Sequence, residues 1–125
     1  AAYRKTEVVL RRGMDISQLR EIVEDNGMDV EIIDTGYAVH IKDGRINKGT
    51  GLHTVAELMG IDTKDFLALG DSCNDAEMMR EAGLGIAVGN ADDDARQAAS
   101  MVTKASFGEG TLEAIEYALS NGLLE

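Results

Sequence analysis

Apolar positions along the chain change rhythm near residue 44, and the change divides the sequence into two parts. Thr6 to Arg11 is a run of β-branched and aliphatic residues and predicts a strand. Asp15 then offers an N-cap to a helix that carries Ile16, Leu19, Ile22 and Val23 at helical spacing, and Asn26-Gly27 ends it. Val30 to Ile33 and Tyr37 to Ile41 predict two further strands, joined at Asp34-Thr35-Gly36 by residues that tolerate unusual backbone angles. Residues 1–44 thus predict a β-α-β-β unit.

Residues 45–125 alternate differently. A helix is predicted over about Lys48 to Met59, with Leu52, Val55, Ala56 and Met59 spaced for one face and Gly60 as its stop. Short apolar strands follow at Phe66 to Leu69, Gly85 to Val88 and Met101 to Thr103. Between and after them come helices at Ala76 to Ala82, around Asp92 to Ala99, and Gly110 to Leu119. Apolar strands alternating with helices imply a parallel sheet buried on both faces. The fold class is therefore α/β: a Rossmann-like parallel sheet with helices on both faces, preceded by a β-α-β-β piece of α+β character.

Composition narrows the function classes. The chain has 125 residues, 44% hydrophobic and 28% charged, which is ordinary for a folded globular protein. Its longest apolar runs, such as Val8 to Leu10 and Ile86 to Val88, are far too short to cross a bilayer, which requires about 20 residues. No secretory signal is visible, and Cys73 is the only cysteine, so the expected location is the cytoplasm. The net charge of -11 opposes binding to nucleic acid or an anionic membrane. It also repels a phosphate ester, so an anionic substrate needs a local cation. Ala1-Ala2 stands just ahead of a strand-like run without an initiator methionine, as expected of a chain that begins mid-protein.

Ligands of such sheets sit beyond the carboxyl ends of the strands, which directs attention to Gly70-Asp71-Ser72-Cys73-Asn74-Asp75. Two carboxylates four residues apart, one at the strand end and one near the first helical turn, suit a magnesium ion, which takes one or two carboxylates in a tight octahedron. Structurally, the same pair is also what N-capping produces. An EF-hand calcium loop is disfavoured by the missing central Gly and distal Glu. The second element is Lys48, which opens a helix where a cation is disfavoured by the helix dipole unless an anion is present. As a point charge it suits a phosphoryl oxygen.

Asn47-Lys48-Gly49, then Gly70 to Asp75, then Ala87-Val88-Gly89-Asn90-Ala91 resemble the third and fourth motifs of haloacid dehalogenase superfamily phosphatases. Val102-Thr103 and Gly108-Glu109-Gly110 fit the same pattern. The subgroup with an inserted α/β cap is the most similar, because the β-α-β-β unit directly precedes Lys48. Archaeal phosphoglycolate phosphatases share the Asp34 to His40 strand pair and the Ile46-Asn47-Lys48-Gly49 segment. The resemblance implies residues 1–44 as the end of a cap and residues 45–125 as the C-terminal part of the core. It implies Mg2+-dependent hydrolysis of a phosphate monoester, phosphoglycolate by likeness, in carbohydrate metabolism. Lys48 would bind phosphate, Asp71 and Asp75 would hold the metal, and Asn74, Gly70 and Ser72 would support them.

The chain departs from the family in two respects. No apolar strand is followed by Asp-x-Asp-Gly-Thr, so the sequence offers no catalytic nucleophile, and no strand ends in the Ser or Thr of the family's second motif. Ile41 stands where one would be needed before Asp43-Gly44, and Asp34-Thr35-Gly36 lies in a hairpin. The expected partners are a small phosphorylated metabolite and a missing N-terminal half or complementary chain. A homodimer is a further assembly the sequence admits. The rival reading is an inactive fragment serving as an interaction module. An aspartic protease signature at Asp34-Thr35-Gly36 is disfavoured by the helical content. His40 and His53 receive no role, the six methionines read as gap-filling core residues, and Asp92-Asp93-Asp94 as a solvated, capped first turn.

Overall fold

The computed structural model describes residues 6–124. The chain divides into two compact units, one ending at Ile46 and the other beginning at Asn47.

The first unit holds β1 (Glu7–Arg11), α1 (Ile16–Asp25), β2 (Val30–Asp34) and β3 (Ala38–Asp43). The strands form one antiparallel sheet in the order β1-β3-β2, with Val9 opposite His40 and Ile32 opposite Ile41. Asp15 caps α1 by accepting the amides of Ser17 and Gln18. The β2–β3 turn closes because Asp34 accepts the amide of Gly36, which takes the left-handed conformation that glycine adopts at little cost. Among the described residues of this unit only Ile32 and Val39 are buried apolar side chains, and α1 buries none.

The second unit holds α2 (Lys48–Met59), β4 (Leu67–Gly70), α3 (Ala76–Glu81), β5 (Leu84–Ala87), α4 (Asp93–Ala98), β6 (Met101–Val102) and α5 (Phe107–Ser120). Its sheet is parallel, in the order β4-β5-β6, with Gly70 opposite Ala87. Short 3-10 turns at Thr63–Asp65 and Cys73–Asp75 bring the chain into β4 and out of it. One sheet face carries Ala68 and Ala87, which pack with Met79 and Ala82 of the α3 segment and with Ala91 and Ala95. Strand alternation turns Ile86 to the opposite face, where it is also fully buried, so both faces are covered. In α5 the buried residues Gly110, Ala114 and Ala118 recur every fourth position, the spacing of a narrow helical stripe.

Small residues make this packing close. A Cβ at Gly85 would lie 2.6 Å from the Met79 carbonyl oxygen, so α3 can rest on β5 only where that side chain is missing. Gly83 comes closer still: a Cβ there would lie 1.8 Å from the Lys64 carbonyl oxygen. Lys64 in turn donates to the carbonyls of Arg80, Glu81 and Ala82, satisfying orphan acceptors at the end of α3.

Three expectations are corrected. Val55 and Met59 are exposed; of the expected face Ala56 is buried, joined by Gly49, because a small-residue face approaches α3 more closely than a large apolar one. Met14, Met28 and Met59 are likewise exposed, while Met79 is core. Helix α5 begins at Phe107 rather than Gly110. Among the described residues no helix is long and apolar enough to cross a membrane.

Candidate functional site

At the carboxyl end of β4 the chain turns sharply and folds back on itself. Gly70 permits this, since a Cβ there would fall 2.3 Å from Cβ of Asp75. Asp75 is drawn under the strand end and is buried. Its Oδ2 accepts the amides of Asp71 (3.0 Å) and Ser72 (3.2 Å) and the Ser72 hydroxyl (3.3 Å). Its Oδ1 accepts from Nζ of Lys48.

Lys48 reaches this point because α2 starts at a fixed place. Asn47 accepts the Thr50 amide and the Thr50 hydroxyl accepts the Asn47 amide, a reciprocal cap that pins the first turn. Buried Gly49 lets that turn approach α3, with a notional Cβ 3.0 Å from Cβ of Glu77. The lysine stands at the positive end of a helix, and the Asp75 carboxylate is the anion that offsets this.

Burial alone would push the Asp75 carboxyl up. It is outweighed by the hydrogen bond from Lys48, the Asp71 amide, the Lys48 charge and the Ser72 amide, so the group lies below the ordinary carboxylate value. Asp75 is therefore held as an anion.

Lys48, Asp71 and Asp75 line one open cleft of about 310 Å³, together with Asn90, Phe107 and Thr111. Asp71 is exposed, and its carboxylate takes part in no hydrogen bond among the described residues. The Asn74 side chain likewise makes none there, while Ser72 contributes both its amide and its hydroxyl to Asp75.

Asp92 was read from the sequence as a simple cap and does more. Its Oδ1 accepts the Ala95 amide at the start of α4, its Oδ2 accepts the Cys73 amide at 2.7 Å, and its own amide donates to the Asp71 carbonyl. It thus ties the loop after β4 to α4. Asn90 entered the sequence reading only as part of the Ala87 to Ala91 motif, without a role of its own; Phe107 escaped it, because its positive φ has no sequence signal.

Among the described residues no group of three or more His, Cys, Asp or Glu side chains is placed to hold a metal ion. Two carboxylates on one cleft still match the hard-oxygen requirement of a divalent cation that draws its remaining ligands from water and substrate. Of the two, Asp71 has uncommitted oxygens, whereas both oxygens of Asp75 already accept hydrogen bonds.

The chain is similar to known proteins in sequence and in fold. The sequence model described as haloacid dehalogenase-like hydrolase matches residues 5–115. A phosphoglycolate phosphatase of Methanococcoides burtonii is 68% identical over 123 residues, covering 98% of this chain and 54% of that protein. One from Methanosarcina acetivorans is 54% identical, covering 96% and 53%. The chain spans about half the length of these curated relatives. A crystal structure of a Thermoplasma acidophilum protein shares the fold with a TM-score of 0.76 at 20% identity, over 98% of this chain and 53% of that one.

Proposed function

The chain belongs to the haloacid dehalogenase-like hydrolase family, and on that premise we propose that it supplies the cation and metal-carboxylate side of a phosphate monoester hydrolase. The observation that carries the reading is the Lys48–Asp75 ion pair opening onto the same cleft as Asp71 at the end of β4. An ammonium fixed by a buried carboxylate is preorganised to meet phosphoryl charge without first losing its own order. Lys48 stays half-exposed despite the ion pair, so one part of its ammonium remains available to a ligand.

The roles divide among the residues. Lys48 binds and neutralises a phosphoryl oxygen. Asp71 offers its carboxylate to a magnesium ion, and Asp75 completes the site from beneath while fixing Lys48. Ser72 and Gly70 shape the loop, and Asn74 stands beside the carboxylates. A bound Mg2+ supplies Lewis-acid charge neutralisation to the phosphoryl group. The attacking aspartate belongs to an Asp-x-Asp-Gly-Thr segment that this sequence does not contain, so a complementary N-terminal half is the proposed partner. Residues 1–44 are proposed as the end of a cap, phosphoglycolate as the substrate by likeness to the relatives, and the cytoplasm as the location.

Reconstitution tests the reading. Mixing the chain with a fragment bearing the Asp-x-Asp strand should restore magnesium-dependent phosphate release from phosphoglycolate. Lys48→Ala or Asp71→Asn should remove most of it, by about a hundredfold or more. Folding of the mixture without any turnover would instead favour the rival reading, a catalytically silent interaction module.

A further inference from the structure

We propose that Phe107 is the specificity-determining wall of the cleft, reading the organic group of a phosphate ester whose phosphoryl end lies at Lys48 and Asp71. The proposal rests on the phosphate-site reading and adds the part of the ligand that the reading leaves unassigned.

Phe107 is the one residue other than glycine with positive φ among the described residues, at 53°. For a bulky side chain that conformation costs on the order of 1–3 kcal/mol and persists only where the surroundings impose it. They do so from three sides. The Phe107 amide donates to Oδ1 of Asn90 at 2.7 Å. Upstream, the Glu113 carboxylate accepts the amides of Lys104 and Ala105, and Gly89 donates its amide to the Ala105 carbonyl. Downstream, Gly110 packs so tightly that a Cβ would lie 2.5 Å from the Ala105 oxygen.

A backbone so constrained is met most cheaply by glycine or asparagine. The chain carries phenylalanine instead, with its residue 74% exposed, so little apolar burial repays the strain. Phe107 lines the cleft that contains Lys48, Asp71 and Asp75. An aromatic face there has nothing to offer inorganic phosphate. It can cover the carbon part of an ester, and the gain should grow from a methyl to a planar aryl group. Asn90 acts as a positioning residue, fixing the peptide that carries the ring.

The test is an NMR titration of the chain, with magnesium present, using inorganic phosphate, methyl phosphate and phenyl phosphate. Phenyl phosphate should bind about three- to tenfold more tightly than inorganic phosphate. Phe107→Gly should erase that preference while leaving the inorganic phosphate affinity and the thermal midpoint unlowered, and Phe107→Tyr should retain it. A preference that is absent from the wild type, or that survives in Phe107→Gly, overturns the proposal. So does a parallel loss of all three ligands in Phe107→Gly, which would make the residue structural. Failure of the wild type to bind any of the three would overturn the phosphate-site reading itself.

Discussion

Two loops of the molecule, each closing around an aspartate, show how differently its two units are built. At Asp34 in the first unit, the side chain accepts the Gly36 amide and meets Arg12 at 3.2 Å, in an exposed turn where a Cβ on Gly36 would touch nothing. At Asp75 in the second, the carboxylate is buried, takes three donors on one oxygen and a lysine on the other, and lies where Gly70 has no room for a Cβ. The first turn is set by local backbone preference. The second is set by packing, so its geometry is imposed by the fold, which is what preorganisation of a charged site demands.

The same substitution in the two loops should separate them most. Gly70→Ala must displace Asp75 and with it Lys48; a loss of about 2–3 kcal/mol is expected in urea denaturation, the upper range of overpacking. Gly36→Ala meets only the left-handed backbone penalty, about 1 kcal/mol. Equal losses would break the comparison.

Removing the charge of Asp75 is the next largest change. Asp75→Asn should cost about 2 kcal/mol at neutral pH, since Oδ1 no longer matches an ammonium and a buried acceptor set is disturbed. Because the folded-state group lies below its unfolded value of 3.8, its stabilising contribution is present above that pH and is lost as pH falls through the folded-state value. The gap between wild type and Asp75→Asn in denaturant midpoint should therefore narrow below pH 3.8. A gap independent of pH would contradict the ion pair.

Hydrogen exchange should rank the two units without mutation. Amides of Leu69 and Ile86 lie in a sheet buried on both faces, whereas those of β1 flank exposed Val8 and Val9, so the former should exchange more slowly. The smallest effect is expected at Asp43. Its carboxyl is lowered to about 2 by the Arg45 side chain and amide, yet the pair stays in contact with solvent and Arg45 is largely exposed, so Asp43→Asn should shift the thermal midpoint within measurement scatter. NMR titration would still find the low value.

Much of this was legible in the residues. Asp15, the Asn47 to Gly60 helix and the Gly36 turn follow from capping and turn chemistry that acts over a few residues, and the structure keeps them within a residue or two. The spacing of Asp71 and Asp75 marked the site. It left hidden that Asp75 would turn inward onto Lys48, because that depends on the space left beside Gly70, a contact between elements 27 positions apart in the case of Lys48 and Asp75. Asp92 was underread for the same reason: capping is local, but its bond to Cys73 spans 19 positions. Val55 and Met59 were misplaced because helical spacing gives a stripe and says nothing about which small residues the neighbour will choose to approach.

The most direct test is a crystal structure of the chain, reconstituted with its complementary half, grown with magnesium and orthovanadate. The account predicts vanadate oxygen within hydrogen-bonding reach of Lys48 Nζ and a cation on a carboxylate oxygen of Asp71, with Asp75 still beneath the lysine. Vanadate bound elsewhere, with Lys48 facing Asp75 alone and no cation at Asp71, would contradict it.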